Sequence, residues 1–246
     1  MSKALVIIPT FNEAENIVLM LEAIMNLPEH FSVLVVDDNS PDGTAVLVEN
    51  FMKSYSDRIF IVKRAKKEGL GVAYIAGFRW ALQRAYSFIF EMDADFSHNP
   101  KDLSRLLAPL SANQTDMVVG SRYAKGIHVV NWPLLRILIS YGASVYARLV
   151  TGIPIKDTTS GFVGYRREVL EALNFDKIQF VGYAFQIELK FKTWKKQFRF
   201  VEIPIIFTDR VRGDSKMNTS IISEAVFGII EMKIRSFFNK NDRASS

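Results

Sequence analysis

Apolar runs rich in β-branched residues recur through the first half of the chain: ALVII (4–8), VLVV (33–36), IFIV (59–62), FIF (88–90) and MVV (117–119). Each has the length of a buried strand, and the stretches between them place apolar residues at a helical period. The first such stretch opens with Asn12 and carries Glu15 three residues on, the spacing of a capping box. The pattern therefore predicts a helix start at Asn12, with Ile17, Leu21 and Ile24 on its inner face. Strands that alternate with helices predict an α/β fold, a parallel sheet covered by helices on both faces. Such sheets bind ligands beyond the C-terminal ends of their strands.

That rule gathers the polar residues onto one edge. Pro9, Thr10, Phe11, Asn12 and Glu13 follow the first strand; Asp37, Asp38, Asn39 and Ser40 follow the second; Asp93 and Asp95 follow the fourth; Arg122 follows the fifth. In extended chain, positions i and i+2 point to the same side, so the Asp93 and Asp95 carboxylates lie close together and repel unless a cation joins them. Hard oxygen ligands suit magnesium or manganese, and magnesium commonly takes one or two carboxylates plus substrate phosphates. The bland alternative is a solvated helix N-terminus, where acids also favour the dipole. The loop GLG (69–71) matches neither a dinucleotide fingerprint nor a P-loop, and reads as a close backbone approach at a helix start.

At 246 residues and 49% hydrophobic content the chain can bury one large core, and no repeat or low-complexity linker divides it. Cysteine is absent, which excludes disulfides, thiolate metal sites and cysteine nucleophiles. Only His30, His98 and His128 are available for a histidine-rich zinc site, and His98 reads as a solvated residue near the next helix start. The apolar run in MSKALVIIP is too short for a secretory signal, so the expected location is the cytoplasm. Charge is uneven: residues 1–189 hold 19 Lys+Arg against 20 Asp+Glu, and residues 190–246 hold 12 against 6. Because these basic residues are interleaved with apolar runs, they point to an anionic membrane surface, not to nucleic acid.

Two segments carry that reading further. In NWPLLRILISYGASVYARLV (131–150), Arg136 and Arg148 interrupt the apolar run, which argues against a membrane span. On a helix, Arg136, Ser140, Ser144 and Arg148 form one polar stripe, while Leu134, Leu135, Leu138, Tyr141, Val145 and Leu149 cover the rest. The second segment, 218–238, fits an interfacial helix or an ordinary core-packing one. The expected protein is peripheral on the cytoplasmic face of a membrane, without a transmembrane helix.

The motifs VIIPTFNEAENI, VVDDNSPDGT, GLGVAYIAGF, MDADFSHNP, VVGSRY, DTTSGF, VGYAFQIE and DRVRGDSK run in order from near the N-terminus to about residue 216. With them the chain resembles the polyprenyl-phosphate (dolichyl-phosphate) mannosyltransferases, family 2 glycosyltransferases of the GT-A fold. The resemblance implies a Rossmann-like mixed, mainly parallel sheet with amphipathic interfacial helices added. It also implies a GT-A catalytic domain over 1–216, with 131–150 as its acceptor-side helix, and a C-terminal amphipathic helix and tail over 217–246. It implies GDP-mannose as donor, a polyprenyl monophosphate as acceptor, and Mg2+ or Mn2+ as cofactor. On this chain Pro9, Phe11, Glu13, Asp37, Asp38, Asp93 and Ala94 would bind the nucleotide sugar, and Asp93 and Asp95 the metal. Arg122, Arg136 and Ser140 would contact the acceptor phosphate. Arg210 and Lys216 would bind the diphosphate and, with Asp95, serve catalysis. Phe11 stands where a tyrosine is common, keeping stacking and losing a hydroxyl. Ser97 stands where a glutamine can complete the metal shell, which leaves that position open between Ser97 and water. A small membrane subunit is an open partner.

An acceptor phosphate with second pKa about 6 is already anionic at neutral pH and needs no protein base. The departing diphosphate needs metal and fixed cations instead. Residue by residue, plainer roles compete: Glu13 and Asp42 as helix caps, Arg122 as the partner of Asp116, Asp157 as a turn residue, Gln186 and Glu188 as partners of Lys190 and Lys192. Transfer from a UDP-sugar, as in a polyprenyl-phosphate glucose synthase, is the alternative within the class. A nucleotidyltransferase or a non-enzymatic membrane-surface module is more remote: PTFNEAEN is acidic where a triphosphate loop is basic.

Overall fold

The computed structural model describes residues 3–182, 184–209 and 228–236. All five strands expected from the apolar runs form: β1 (Ala4–Thr10), β2 (Ser32–Asp37), β3 (Ile59–Lys63), β4 (Phe88–Glu91) and β5 (Met117–Ser121). A short β6 (Val129–Val130) follows, then β7 (Val163–Arg166), β8 (Phe200–Pro204) and β9 (Phe207–Thr208). The main sheet runs β3-β2-β1-β4-β7-β5-β8, and β6 pairs with β9 beside it. Among the seven, β7 runs antiparallel to both neighbours, while the other pairings are parallel. β1 is flanked by β2 and β4, so the chain reverses its direction of winding there. The crevice beyond the C-terminal ends of β1 and β4 is the switch point where such sheets bind ligands.

Alternation along β1 splits its side chains between two cores. Ala4, Val6 and Ile8 meet α1 (Ile17–Met25), α2 (Thr44–Met52) and α4 (Asp102–Ser111). Leu5 and Ile7 meet α3 (Leu70–Leu82), α6 (Arg167–Ala172) and α7 (Ala184–Lys195) on the other face. Each fully buried aliphatic or aromatic side chain contributes about 1.5–3 kcal/mol. At the start of α3, Gly69 takes φ +109, and a Cβ there would stand 2.9 Å from the Val181 carbonyl oxygen. Gly71 N–H donates to that oxygen at 2.8 Å, so GLG does serve a close backbone approach.

The helix start expected at Asn12 lies instead at Ile17. Asn12 has φ +57, a left-handed conformation, and gives its N–H to Ser40 Oγ at 3.0 Å. The loop after β1 is thereby tied to the loop after β2, and this long-range contact overrides the local capping signal. Ile17, Leu21 and Ile24 are buried as expected.

α5 (Leu134–Thr151) carries its amphipathicity inside out. Ser144, Ala147 and Thr151 are buried, and Ser140 accepts a 2.9 Å hydrogen bond from the Tyr123 hydroxyl. Arg136 Nη1 donates to Asp209 at 2.8 Å. Leu134 is 71% exposed and Leu149 80%, with Leu135 and Leu138 also facing out. Its length and composition alone would suffice to cross a membrane. Of the segment 218–238, residues 228–236 are described and form a helix, α8. Ile229 and Met232 enter the core, Ile230 and Ile234 are exposed, and Lys233 Nζ donates to the Thr151 carbonyl at the end of α5 at 2.7 Å.

Candidate active site

Pro9 is the penultimate residue of β1, and Phe11 and Glu13 lie in the loop that Ser40 and Thr44 hold down. The Lys67 ammonium lies 4.4 Å from the centre of the Phe11 ring. Asp37, the last residue of β2, and Asp38, which follows it, have different tasks. Both Asp37 oxygens are engaged, by Thr10 Oγ1 at 2.9 Å and by Ser40 N and Oγ at 2.9 and 2.6 Å, so Asp37 braces the two loops. Asp38 is nearly buried and pairs with Arg64 Nη1 at 2.6 Å. Burial raises its carboxyl above the ordinary value, although Arg64 pulls the other way. Asp42 accepts from Ala14 N, Thr44 N and Thr44 Oγ1, so it ties the loop after β1 to the start of α2 from one residue before the N-cap, Gly43.

Beyond β4, the Asp93 side chain is 36% exposed and Asp95 is buried, with Ala94 buried between them. Phe96 adopts φ +62, which turns the chain so that Ser97 N–H donates to Asp95 Oδ1 at 3.0 Å. Ser97 therefore orients Asp95 through its backbone. His98 is a correction: it is buried, not solvated. Its ring stacks on Phe162 at 4.8 Å and meets Phe207 edge-on at 5.3 Å. Its Nδ1 accepts the Asp93 N–H at 3.3 Å, which puts any neutral-ring proton on Nε2. Burial pushes its pKa down to about 4, so it stays neutral at neutral pH.

Arg122, after β5, is buried and is held by Asp157, not by Asp116. Its backbone N–H and Nε donate to Asp157 Oδ2, both at 2.8 Å, and Nη2 donates to Asp157 Oδ1 at 2.6 Å and Thr159 Oγ1 at 2.7 Å. Asp116 is taken by Arg199. Asp157 thus does more than make a turn, and only its place in the DTTSGF motif hinted at this. Tyr123, Trp132 and Phe207 surround the guanidinium with centroids 5.2–5.6 Å away. Trp132 also covers Arg136 at 4.2 Å, and its Nε1 and the Arg136 Nε are buried without a partner among the described residues. These aromatics went unnoticed in sequence because they are scattered along the chain. Ser140 belongs to this cluster through Tyr123. Arg210 and Lys216 lie outside the described residues. Glu188 pairs with Lys192 and Gln186 with Lys190, the structural roles open to them.

The mainly parallel sheet thus carries an acidic pair at its switch point and a braced arginine at the same edge. The chain belongs to glycosyl transferase family 2, whose model matches residues 5–173. It is 46% identical over 233 residues to the polyprenol monophosphomannose synthase of Mycolicibacterium smegmatis, covering 95% of this chain and 88% of that one. It is 42% identical to the undecaprenyl-phosphate mannosyltransferase of Micrococcus luteus, covering 92% of each. Among solved structures, a mannosyltransferase from Pyrobaculum calidifontis in complex with GDP-Man and Mn2+ shares the fold at TM-score 0.59 and 15% identity, over 99% of this chain and 76% of that one. The expected GT-A architecture is therefore present.

Proposed function

We propose that the chain transfers mannose from GDP-mannose to a polyprenyl (dolichyl-type) monophosphate at a membrane surface, with inversion, to give a β-linked polyprenyl-phosphate mannose. The observation that carries this reading is Arg122: a braced guanidinium at the same sheet edge as Asp93 and Asp95, joined through Thr159 and Ser144 to a helix whose leucines face outward. The names of the two relatives support the mannosyl donor and the polyprenyl acceptor.

In this reading Phe11 stacks on the base, Pro9, Glu13 and Asp38 flank the nucleoside, Asp37 keeps their loops together, and Ala94 lends backbone beside the sugar. Two hard carboxylates, one reaching solvent, suit a divalent cation that has substrate phosphate as further ligand, so Asp93 and Asp95 would hold Mg2+ or Mn2+. Such a cation supplies positive charge to the departing diphosphate. Arg122 and Arg136 hold the acceptor phosphate, with Ser140 fixing Tyr123 beside them; Arg210 and Lys216 are assigned to the diphosphate. A phosphate oxygen attacks the anomeric carbon as the carbon–oxygen bond to the diphosphate breaks, and GDP leaves. The nucleophile is ionised already, so no side chain has to take a proton.

The outward leucines of α5 dock the protein on the cytoplasmic face of an anionic membrane, as a peripheral protein, with residues 1–216 as catalytic domain and 217–246 as membrane-side helix and tail. Separate incubations of the chain with polyprenyl phosphate and labelled GDP-mannose, UDP-glucose or UDP-galactose test the reading. Lipid-soluble label is expected from GDP-mannose; label from UDP-glucose alone would replace the donor, and none from any would end the proposal.

A further inference from the structure

A chain of buried polar groups behind the site has no part in the chemistry above. Glu91, the last residue of β4 and two before Asp93, is fully buried. It accepts from the Tyr165 hydroxyl at 3.0 Å and from the Gln186 side-chain amide. The other end of that amide, Gln186 Oε1, accepts from Lys190 Nζ at 3.1 Å. Lys190, also fully buried, donates in addition to the Ser160 carbonyl at 2.7 Å. Ser160 lies three residues after Asp157, in the loop that grips Arg122, and its hydroxyl donates to the Gly120 carbonyl of β5 at 2.6 Å. One amide on α7 thus joins the strand that leads to the acidic pair to the loop that holds the arginine.

Burial works against both charges, raising the Glu91 carboxyl and lowering the Lys190 ammonium from their ordinary values. Buried charges are costly to desolvate, and apolar side chains of like volume in their place are often neutral or stabilising, so core stability is a poor reason for this arrangement. Placement is a better one. We propose that Gln186, with Glu91 and Lys190, is a positioning residue that sets the donor half of the site against the acceptor half, a role that rests on the functional reading above. Each half binds its ligand through its own groups. What the bridge governs is their alignment, and a misplacement near 1 Å can cost about a hundredfold in rate.

Kinetics of Gln186→Leu test this. Expected is a fall in kcat of about tenfold to a hundredfold, while KM for donor and acceptor each change less than about twofold. The exchange variant Glu91→Gln/Gln186→Glu keeps an amide–carboxylate pair and moves the carboxylate beside Lys190. It should recover most of the kcat that either single change loses, and it serves also if Gln186→Leu does not fold. Wild-type kcat in folded Gln186→Leu, a loss confined to KM, or an exchange variant no better than the worse single would overturn the bridge. If the wild-type chain transfers no mannose, the functional reading fails by itself. The bridge is then judged by amide hydrogen exchange over residues 157–162, which Gln186→Leu should accelerate and the exchange variant restore; unchanged exchange overturns it.

Discussion

Arg122 spends most of its donors on Asp157 and Thr159, so its plane is set before any ligand arrives. Breaking such a buried pair strands a charge, and Asp157→Asn should destabilise the fold by about 3–5 kcal/mol in urea denaturation. Its pH dependence has a defined sign. Burial opposes the Asp157 charge, but the attraction and hydrogen bonds of Arg122 outweigh it and hold the carboxyl below 3.8. The stabilisation is thus present above pH 3.8 and disappears as pH falls through the folded-state value, so wild type and variant should converge only in strong acid. A second expectation concerns the missing base. His128 is half-buried, with its ring nitrogen 3.3 Å from the Lys125 carbonyl, and His128→Ala should keep kcat within about twofold while the acid limb of activity follows the acceptor phosphate near pH 6. A large kcat loss at unchanged binding would contradict base-free transfer.

At the scale of elements, α5 is anchored by its polar side and leaves its apolar side to the surroundings. Exposed positions away from packed features usually tolerate change within about 0.5 kcal/mol, so Leu134→Glu/Leu138→Glu should melt like wild type. The same variant should lose most flotation with anionic liposomes at low salt. Flotation that survives both salt and carbonate would instead indicate a spanning helix. The stripe of Arg136, Ser140 and Ser144 was legible in sequence because i, i+4 spacing is a local property. So were five strands and the Asp93/Asp95 pair, each written in consecutive residues. β7 was not: its four residues include a glycine and an arginine, and only its partners on either side make it a central strand. Asp157 escaped for the same reason, being 35 positions from the arginine it holds. The start of α1 was misread because a contact between two loops outweighed a local cap.

For the whole molecule, ligand binding and folding are linked. A ligand at a hundred times its Kd that binds only the folded chain adds about 2.7 kcal/mol. In a domain of this size each kcal/mol moves Tm by about 2–4 °C. GDP with Mn2+ should therefore raise Tm by roughly 5–10 °C, chelation should remove the metal-dependent part, and Asp95→Asn should lack it with its ligand-free Tm unchanged. The position of β7 also bears on how the chain is made. β5 ends at Ser121, but the strand that joins it to β4 begins only at Val163. At about 5–20 residues per second, a ribosome delivers that strand roughly two to eight seconds after β5. During the interval the edges of β4 and β5 that will receive β7 stay unpaired, and α5 with its outward leucines emerges into the same gap. Nascent chains stalled before β7 has left the exit tunnel should be cut readily by protease and held by chaperones, and those stalled well after β8 should resist both.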